Sequence, residues 1–293
     1  MQKIQYFTVI FFLKLSKILP ASFVFAVFDF FSMILFFILK SRRELSIKNL
    51  TLAYPEKNKK EIHSLAKKSF KSVAITAAEV MLLINDKKKI EDFIINKDKF
   101  LKTLTDITKK NKKGIVFITA HFSNWEILPH FLAMNGYPMT AIGRAGDNLL
   151  IEKNLTKPFR EKHGNQNIYK NEAMRKMIKT LKEAGNVGLL IDQKAGKTNS
   201  VLTTFFGMEC RTTTSVANIK LKYDPLVIPI FLKRATYGKY GILFYGAADY
   251  KADDKNSEEE KIQALTQYYN DIIERAVREA PEQWFWMHGR WKI

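Results

Sequence analysis

The sequence predicts an α/β fold, a mixed and largely parallel sheet flanked by helices, preceded by an N-terminal membrane helix. Three observations carry this. Ile115-Val116-Phe117-Ile118 is a short apolar run rich in β-branched residues, bounded by Gly114 and a lysine cluster, as expected of a strand buried on both faces. Strand-like and helix-like segments alternate after it, which argues for substantially parallel pairing. Upstream, Ile18–Leu39 carries a single charge, Asp29, over a length near the roughly 20 apolar residues that cross a bilayer as a helix.

The N-terminal run comes first in the chain. Residues 4–13 are largely apolar, Lys14 and Lys17 interrupt, and Lys40, Arg42 and Arg43 flank the long segment on its far side. A carboxylate at the centre of a spanning helix costs about 2.5–3.5 kcal/mol on insertion scales. Asp29 therefore keeps two other readings in play, a helix lying in the interface and a helix packed on the domain. The segment is too long for a cleaved signal peptide and lacks a small-residue cleavage site. Residues 1–45 are read as the anchor and 46–293 as one domain, placed on the cytoplasmic side by the basic cluster after the helix.

From Ser46 to about Leu83 apolar residues recur at helical spacing, with a break at Tyr54-Pro55. Glu79 reads as solvated, with a place in the site as the second reading. The lysine runs 87–89 and 109–113 read as solvated faces, with contact to headgroups or a carrier protein as the second reading.

The central strand stops at His121, and Ser123-x-x-Glu126 follows. Ligands collect at the carboxyl ends of strands in open α/β sheets, so His121 is a candidate general base and Glu126, across the turn, its orienting partner. The same residues also spell a capping box, with His121 an ordinary turn residue. Tyr137–Gly143 reads as a strand ending at Arg144. Glu172–Ala184 reads as a helix, and Asn186–Ile191 as a strand ending at Asp192-Gln193. His121, Arg144 and Asp192 thus meet one rim, where Arg144 and Asp192 either serve the site or pair with each other. Arg160 and Lys162, before another short strand, read as solvated loop residues, with phosphate binding as the second reading. Leu226–Lys233 and Tyr240–Gly246 read as a hairpin, and Ser257-x-x-Glu260 caps a long amphipathic helix that Pro281 ends. The tail from Trp284 to Trp291 is too aromatic for a free terminus and is expected to pack on the domain or sit at the membrane interface.

Composition narrows the function classes. Lys and Arg number 48 against 29 acidic residues in 293, a net charge of +19, which favours anionic partners. One cysteine, Cys210, excludes an intrachain disulfide and a structural zinc site built on cysteines. The five histidines show no metal-ligand spacing, there is no Gly-x-Ser-x-Gly nucleophile elbow, and the P-loop-like Gly196-Lys197-Thr198 lacks its upstream glycine. No metal or cofactor is expected. A basic protein binding nucleic acid or anionic membranes without catalysis is the rival class, but no helix-turn-helix, zinc finger or RNA-binding signature supports a nucleic-acid partner.

His121-Phe-Ser-Asn-Trp-Glu126 fits the His-x4-Asp/Glu box of membrane acyltransferases. Around it stand, in order, Arg42-Arg43, Asn49-Leu50, Tyr54-Pro55-Glu56, Arg144, Asp192-Gln193, Phe205-Phe206-Gly207 and the tail Pro281-Glu282-Gln283-Trp284-x-Trp286-x-His288-x-Arg290-Trp291. This ordered set, spread over nearly the whole chain, resembles the late (secondary) lipid A acyltransferases of Gram-negative bacteria. The resemblance implies a glycerophosphate-acyltransferase-like domain at the inner membrane. It implies acyl-carrier protein as thioester donor and a hydroxyl on an acyl chain of a lipid A precursor as acceptor. In that frame His121 is the base and Glu126 holds its tautomer. Arg144 binds acceptor phosphate or polarises the carbonyl, Asp192 orients Arg144 or a substrate group, and Asn124, Gln193 and Arg290 contact substrate. Acylation of a glycerophosphate is the nearest enzymatic alternative, since it uses a similar box.

Overall fold

The structure is a computed structural model and describes residues 1–143, 145–169, 173–251, 253 and 255–291. Four helices come first: α1 (Gln2–Ile18), α2 (Ala21–Ile38), α3 (Lys40–Ala53) and α4 (Lys59–Ile84). Pro20 starts α2. A capping box in which Asn58 and Glu61 satisfy each other's backbone starts α4, just past the predicted break at Tyr54-Pro55. Residues 45 and 46 both lie inside α3, so the chain leaves the N-terminal helices without interruption.

After α5 (Lys97–Thr108) the alternation begins: β1 (Ile115–Thr119), α6 (Ile127–Met134) and β2 (Met139–Gly143). Next come α7 (Leu149–Ile151), a π-helical turn at Glu152–Thr156, α8 (Lys157–Glu161), β3 (Gln166–Tyr169), α9 (Ala173–Lys182) and β4 (Asn186–Leu190). A separate hairpin of β5 (Ser200–Phe205) and β6 (Met208–Thr213) follows. Then come α10 (Ser215–Tyr223), β7 (Leu226–Thr236), β8 (Lys239–Phe244) and α11 (Glu258–Glu279), which carries the expected Ser257–Glu260 capping box.

The main sheet has the order β3-β2-β4-β1-β7-β8. All its pairings are parallel except the β7–β8 hairpin. β1 lies at the centre, between β4 and β7. Its alternate residues feed two cores. Val116 and Ile118 join Met177 and Leu181 of α9 and Tyr269 and Ile273 of α11, whereas Ile115 and Phe117 join Phe100 of α5 and Phe131 of α6. Burial on both faces is the reason the run is uninterrupted by polar residues. A Cβ on Gly188 of β4 would meet Met139 Sδ at 2.6 Å and push that side chain aside.

The tail packs on the domain. Trp284 and Trp286 are buried, edge to face at 4.7 Å, and Trp286 stacks at 6.2 Å on Trp291. Phe206 and Gly207 turn the β5–β6 hairpin with φ of 54° and 74°, which puts Phe206 against Trp286 and Tyr54. Asn49 of α3 donates to the carbonyls of Trp286 and His288, and Arg42 to that of Met287. The scattered sequence pieces therefore form one clamp around the C-terminal strap.

Candidate active site

His121 stands two residues beyond β1, and Asp192 two residues beyond β4. The parallel register Thr119↔Leu190 carries forward to set them opposite each other. The Asp192 carboxylate is buried. It accepts from His121 Nδ1 at 2.9 Å, from the His121 backbone N–H at 2.9 Å and from Trp284 Nε1 at 2.8 Å. Burial alone would push its carboxyl up, but the His121 charge and these hydrogen bonds together hold it below the ordinary carboxylate range. The imidazole is about a quarter exposed, with Trp125 edge-on at 5.2 Å and Phe285 tilted at 6.4 Å. With Nδ1 donating to Asp192, Nε2 is the nitrogen left to accept a proton. Asp192 thus takes the place beside the histidine that the sequence assigned to Glu126.

Glu126 points its carboxylate elsewhere. It receives Arg160 through two bonds, Nε to Oε2 at 3.0 Å and Nη2 to Oε1 at 2.6 Å. Arg160, on α8, is therefore not the solvated residue its loop-like sequence suggested. Nor does Glu126 close a capping box. Ser123 adopts a left-handed φ of 55° and its hydroxyl is buried without a partner, while Glu126 caps α6 with no side-chain bond.

The turn between His121 and Glu126 is held from two sides. The strap zips onto it: Ser123 N–H donates to the Gln283 carbonyl at 2.7 Å and Phe285 N–H to the His121 carbonyl at 3.0 Å. From α4, Thr76 Oγ1 donates to the Ser123 carbonyl at 2.9 Å, and Asn124 Nδ2 reaches Glu79 at 3.0 Å. Glu79, read as solvated, is fully buried. It pairs with Arg234 of β7 at 2.9 Å and accepts from the Tyr240 hydroxyl and from Gly238 N–H. No local signal marked that network, because Arg234 lies 155 residues away.

The expected substrate contacts divide. Asn124 is fully buried and committed to Glu79, so it supports the turn rather than facing a ligand. Arg290 is also fully buried. It donates to the Gln193 and Arg211 carbonyls, the Thr212 hydroxyl and Asn270 Oδ1, bracing the Asp192-Gln193 segment from beneath. Gln193 stays half-buried beside Asp192. Arg144 lies outside the described residues. Cys210 is buried against Thr203 and Thr212, away from the His121–Asp192 pair's hydrogen bonds. Among the described residues no three His, Cys, Asp or Glu side chains gather to hold a metal ion.

The model of the bacterial lipid A biosynthesis acyltransferase family matches residues 1–293. The chain belongs to that family. It is similar to the lipid A biosynthesis palmitoleoyltransferase of Escherichia coli K12, at 24% identity over 258 residues, 87% of this chain and 80% of the relative. It matches the E. coli K12 lipid A biosynthesis lauroyltransferase and the Shigella flexneri lipid A biosynthesis acyltransferase with the same identity and coverage. As a member of this family the chain is an acyltransferase of lipid A biosynthesis. Its histidine–carboxylate pair at the carboxyl edge of the sheet is where the chemistry of such an enzyme is expected.

Proposed function

We propose that the protein transfers a fatty acyl chain from an acyl thioester on acyl-carrier protein to a hydroxyl on an acyl chain of a lipid A precursor, at the cytoplasmic face of the inner membrane. The observation that carries this reading is the His121–Asp192 pair: a solvent-facing imidazole whose far nitrogen is fixed by a buried carboxylate at 2.9 Å. His121 Nε2 takes the hydroxyl proton as the oxygen attacks the thioester carbonyl. The tetrahedral intermediate then expels the thiolate, which the imidazolium reprotonates. Asp192 keeps the imidazole in the accepting tautomer and stabilises its charged form, the part a carboxylate plays in a Ser-His-Asp triad. No protein nucleophile is needed, and Cys210 is a bystander.

Around this pair, Glu126 holds Arg160 through two bonds, while Arg144, the next residue in sequence after Gly143, supplies charge for acceptor phosphate or the reacting carbonyl. The excess of 48 basic over 29 acidic residues supports approach to an acidic carrier and an anionic bilayer. The test is an in vitro reaction of the purified chain with defined lipid A precursors, offered acyl-carrier-protein and coenzyme A thioesters in parallel. One ester-linked acyl chain gained by mass spectrometry, and preferentially from the carrier protein, is expected. Acylation of glycerophosphate in place of the lipid A precursor would overturn the reading.

A further inference from the structure

Among the described residues α2 is the one helix long and apolar enough to cross a membrane by length and composition. Its surroundings argue against crossing. One face is fixed along its length to α4. Val24 and Phe25 pack with Ile75, Ala78 and Leu82 at one end, and Phe36 meets Phe70 and His63 edge-on at 5.1 and 5.2 Å at the other. Midway, Asp29 is ion-paired to Lys71 at 2.6 Å and accepts from the Tyr237 hydroxyl at 3.1 Å. The charge that weakened a spanning helix on sequence grounds is thus a docking contact.

α4 in turn is bonded to the catalytic turn through Thr76 and Glu79. Whatever depth α2 takes, α4 and that turn take with it. A spanning α2 would carry Lys71, Lys67 and the bonded turn into hydrocarbon, where charged groups are strongly disfavoured. α1 is tied down as well. Asn85 donates to the Leu13 carbonyl and to Ser16 Oγ, both at 2.7 Å, and Asn148 donates to the Gln2 carbonyl at 2.9 Å.

The opposite faces of both helices are uncovered. Ile4, Phe7 and Phe11 of α1 and Phe30, Phe37 and Ile38 of α2 are each more than half exposed, an extent of bare apolar surface on two helices that a water-facing protein does not maintain. Cations rim it. Lys3, Lys14 and Lys17 are exposed along α1, and the exposed Lys67 lies 5.8 Å from the rings of both Phe36 and Phe37. Apolar face plus lysine rim is the pattern of a helix lying in the plane of an anionic leaflet.

We infer that α1 and α2 together form an in-plane raft embedded in one leaflet of an anionic bilayer, with both ends of α2 on the cytoplasmic side. Asn148, which holds the start of α1, follows β2 at the same carboxyl edge of the sheet as His121. The raft therefore begins at the mouth of the site, and an amphiphilic acceptor in that leaflet reaches His121 without leaving the membrane. This rests on the lipid acceptor proposed above.

The test uses the full chain in inner membranes, with Cys210→Ala as background and a single new cysteine at Lys3→Cys or Ser41→Cys. A membrane-impermeant maleimide should label both in inverted vesicles and neither in right-side-out spheroplasts. Labelling of Lys3→Cys in spheroplasts would overturn the inference, because it puts α1 across the membrane from the domain. As an independent depth measurement, a nitroxide on Phe30→Cys in phosphatidylglycerol–phosphatidylethanolamine vesicles should lie about 5–10 Å below the phosphates. A midplane depth, about 20 Å below the phosphates, would also overturn it. Acyl transfer measured on the same preparations separates the two ideas: active protein with α1 outside sinks only the raft, and inactive folded protein with α1 inside sinks only the acceptor.

Discussion

Replacing Asp192 by Asn removes one charge and almost no volume from the centre of the site, so its effect can be worked out atom by atom. Asp192 Oδ2 accepts two N–H groups, from the His121 backbone and from Trp284. In Asp192→Asn the retained carbonyl oxygen satisfies both donors only if the new amide nitrogen turns toward His121 Nδ1. The ring must then accept at Nδ1 and carry its proton at Nε2, the tautomer that cannot take a proton from a hydroxyl. Turnover is expected to fall about 10⁴-fold, the size of the corresponding change in a serine-protease triad. Exchanging charged for neutral acceptor bonds costs about 1–3 kcal/mol, a melting shift of roughly 2–5 °C. Because the folded carboxyl is held below its ordinary range, its contribution to stability is present above that range and lost as pH falls through the folded value. The variant should therefore show a shallower acid-side decline. Steady-state acyl transfer and thermal melts across pH measure all three effects. A folded Asp192→Asn protein with wild-type turnover would refute the reasoning.

Glu126→Gln and Arg160→Met remove the two ends of one bidentate pair, so each should lower activity and the double variant should be little worse than either. Independent, additive losses in kcat would show that the two do not act as a unit. Glu79→Ala strands Arg234 in the interior and is expected to cost about 3–5 kcal/mol in denaturant melts; a change below about 1 kcal/mol would contradict the bracing role. His130 is buried on α6, and burial, followed by the charge of His163, depresses its pKa from the ordinary 6.5 to about 4. Protonation then favours the unfolded chain, so stability falls as pH drops from 6.5 toward 4, by about 3 kcal/mol from this residue. His130→Leu should flatten that interval in melts at stepped pH, and an unchanged slope would reject the assignment.

Much of this was legible in the sequence because strands buried on two faces and helices with one apolar face have distinct periods. β1, β2, β4, the β7–β8 hairpin and α11 lie where those periods put them, within a few residues. The β5–β6 hairpin and α10 went unread: adjacent threonines at 203–204 and 212–213 break the strict alternation of the first, and the second is only nine residues long, too short for its buried Val216, Ala217 and Ile219 to repeat as a clear stripe. In the site, His121 was visible as a polar stop to an apolar strand. Its partner was not, since Glu126 is near in sequence whereas Asp192 is brought near only by the placing of β4 beside β1. Strand order depends on crossovers that local pattern does not encode. Glu79 failed for the same reason: an acid on a helix looks solvated until Arg234 and Tyr240 arrive from distant strands.

The most direct test of the central claim is the turnover of folded His121→Ala with a lipid A precursor and an acyl-carrier-protein thioester, both at saturation. A positioned general base contributes about 10²–10⁴-fold, so kcat should fall by that factor while the melting temperature stays near wild type. A folded His121→Ala protein that transfers the acyl chain at the wild-type rate would contradict the account.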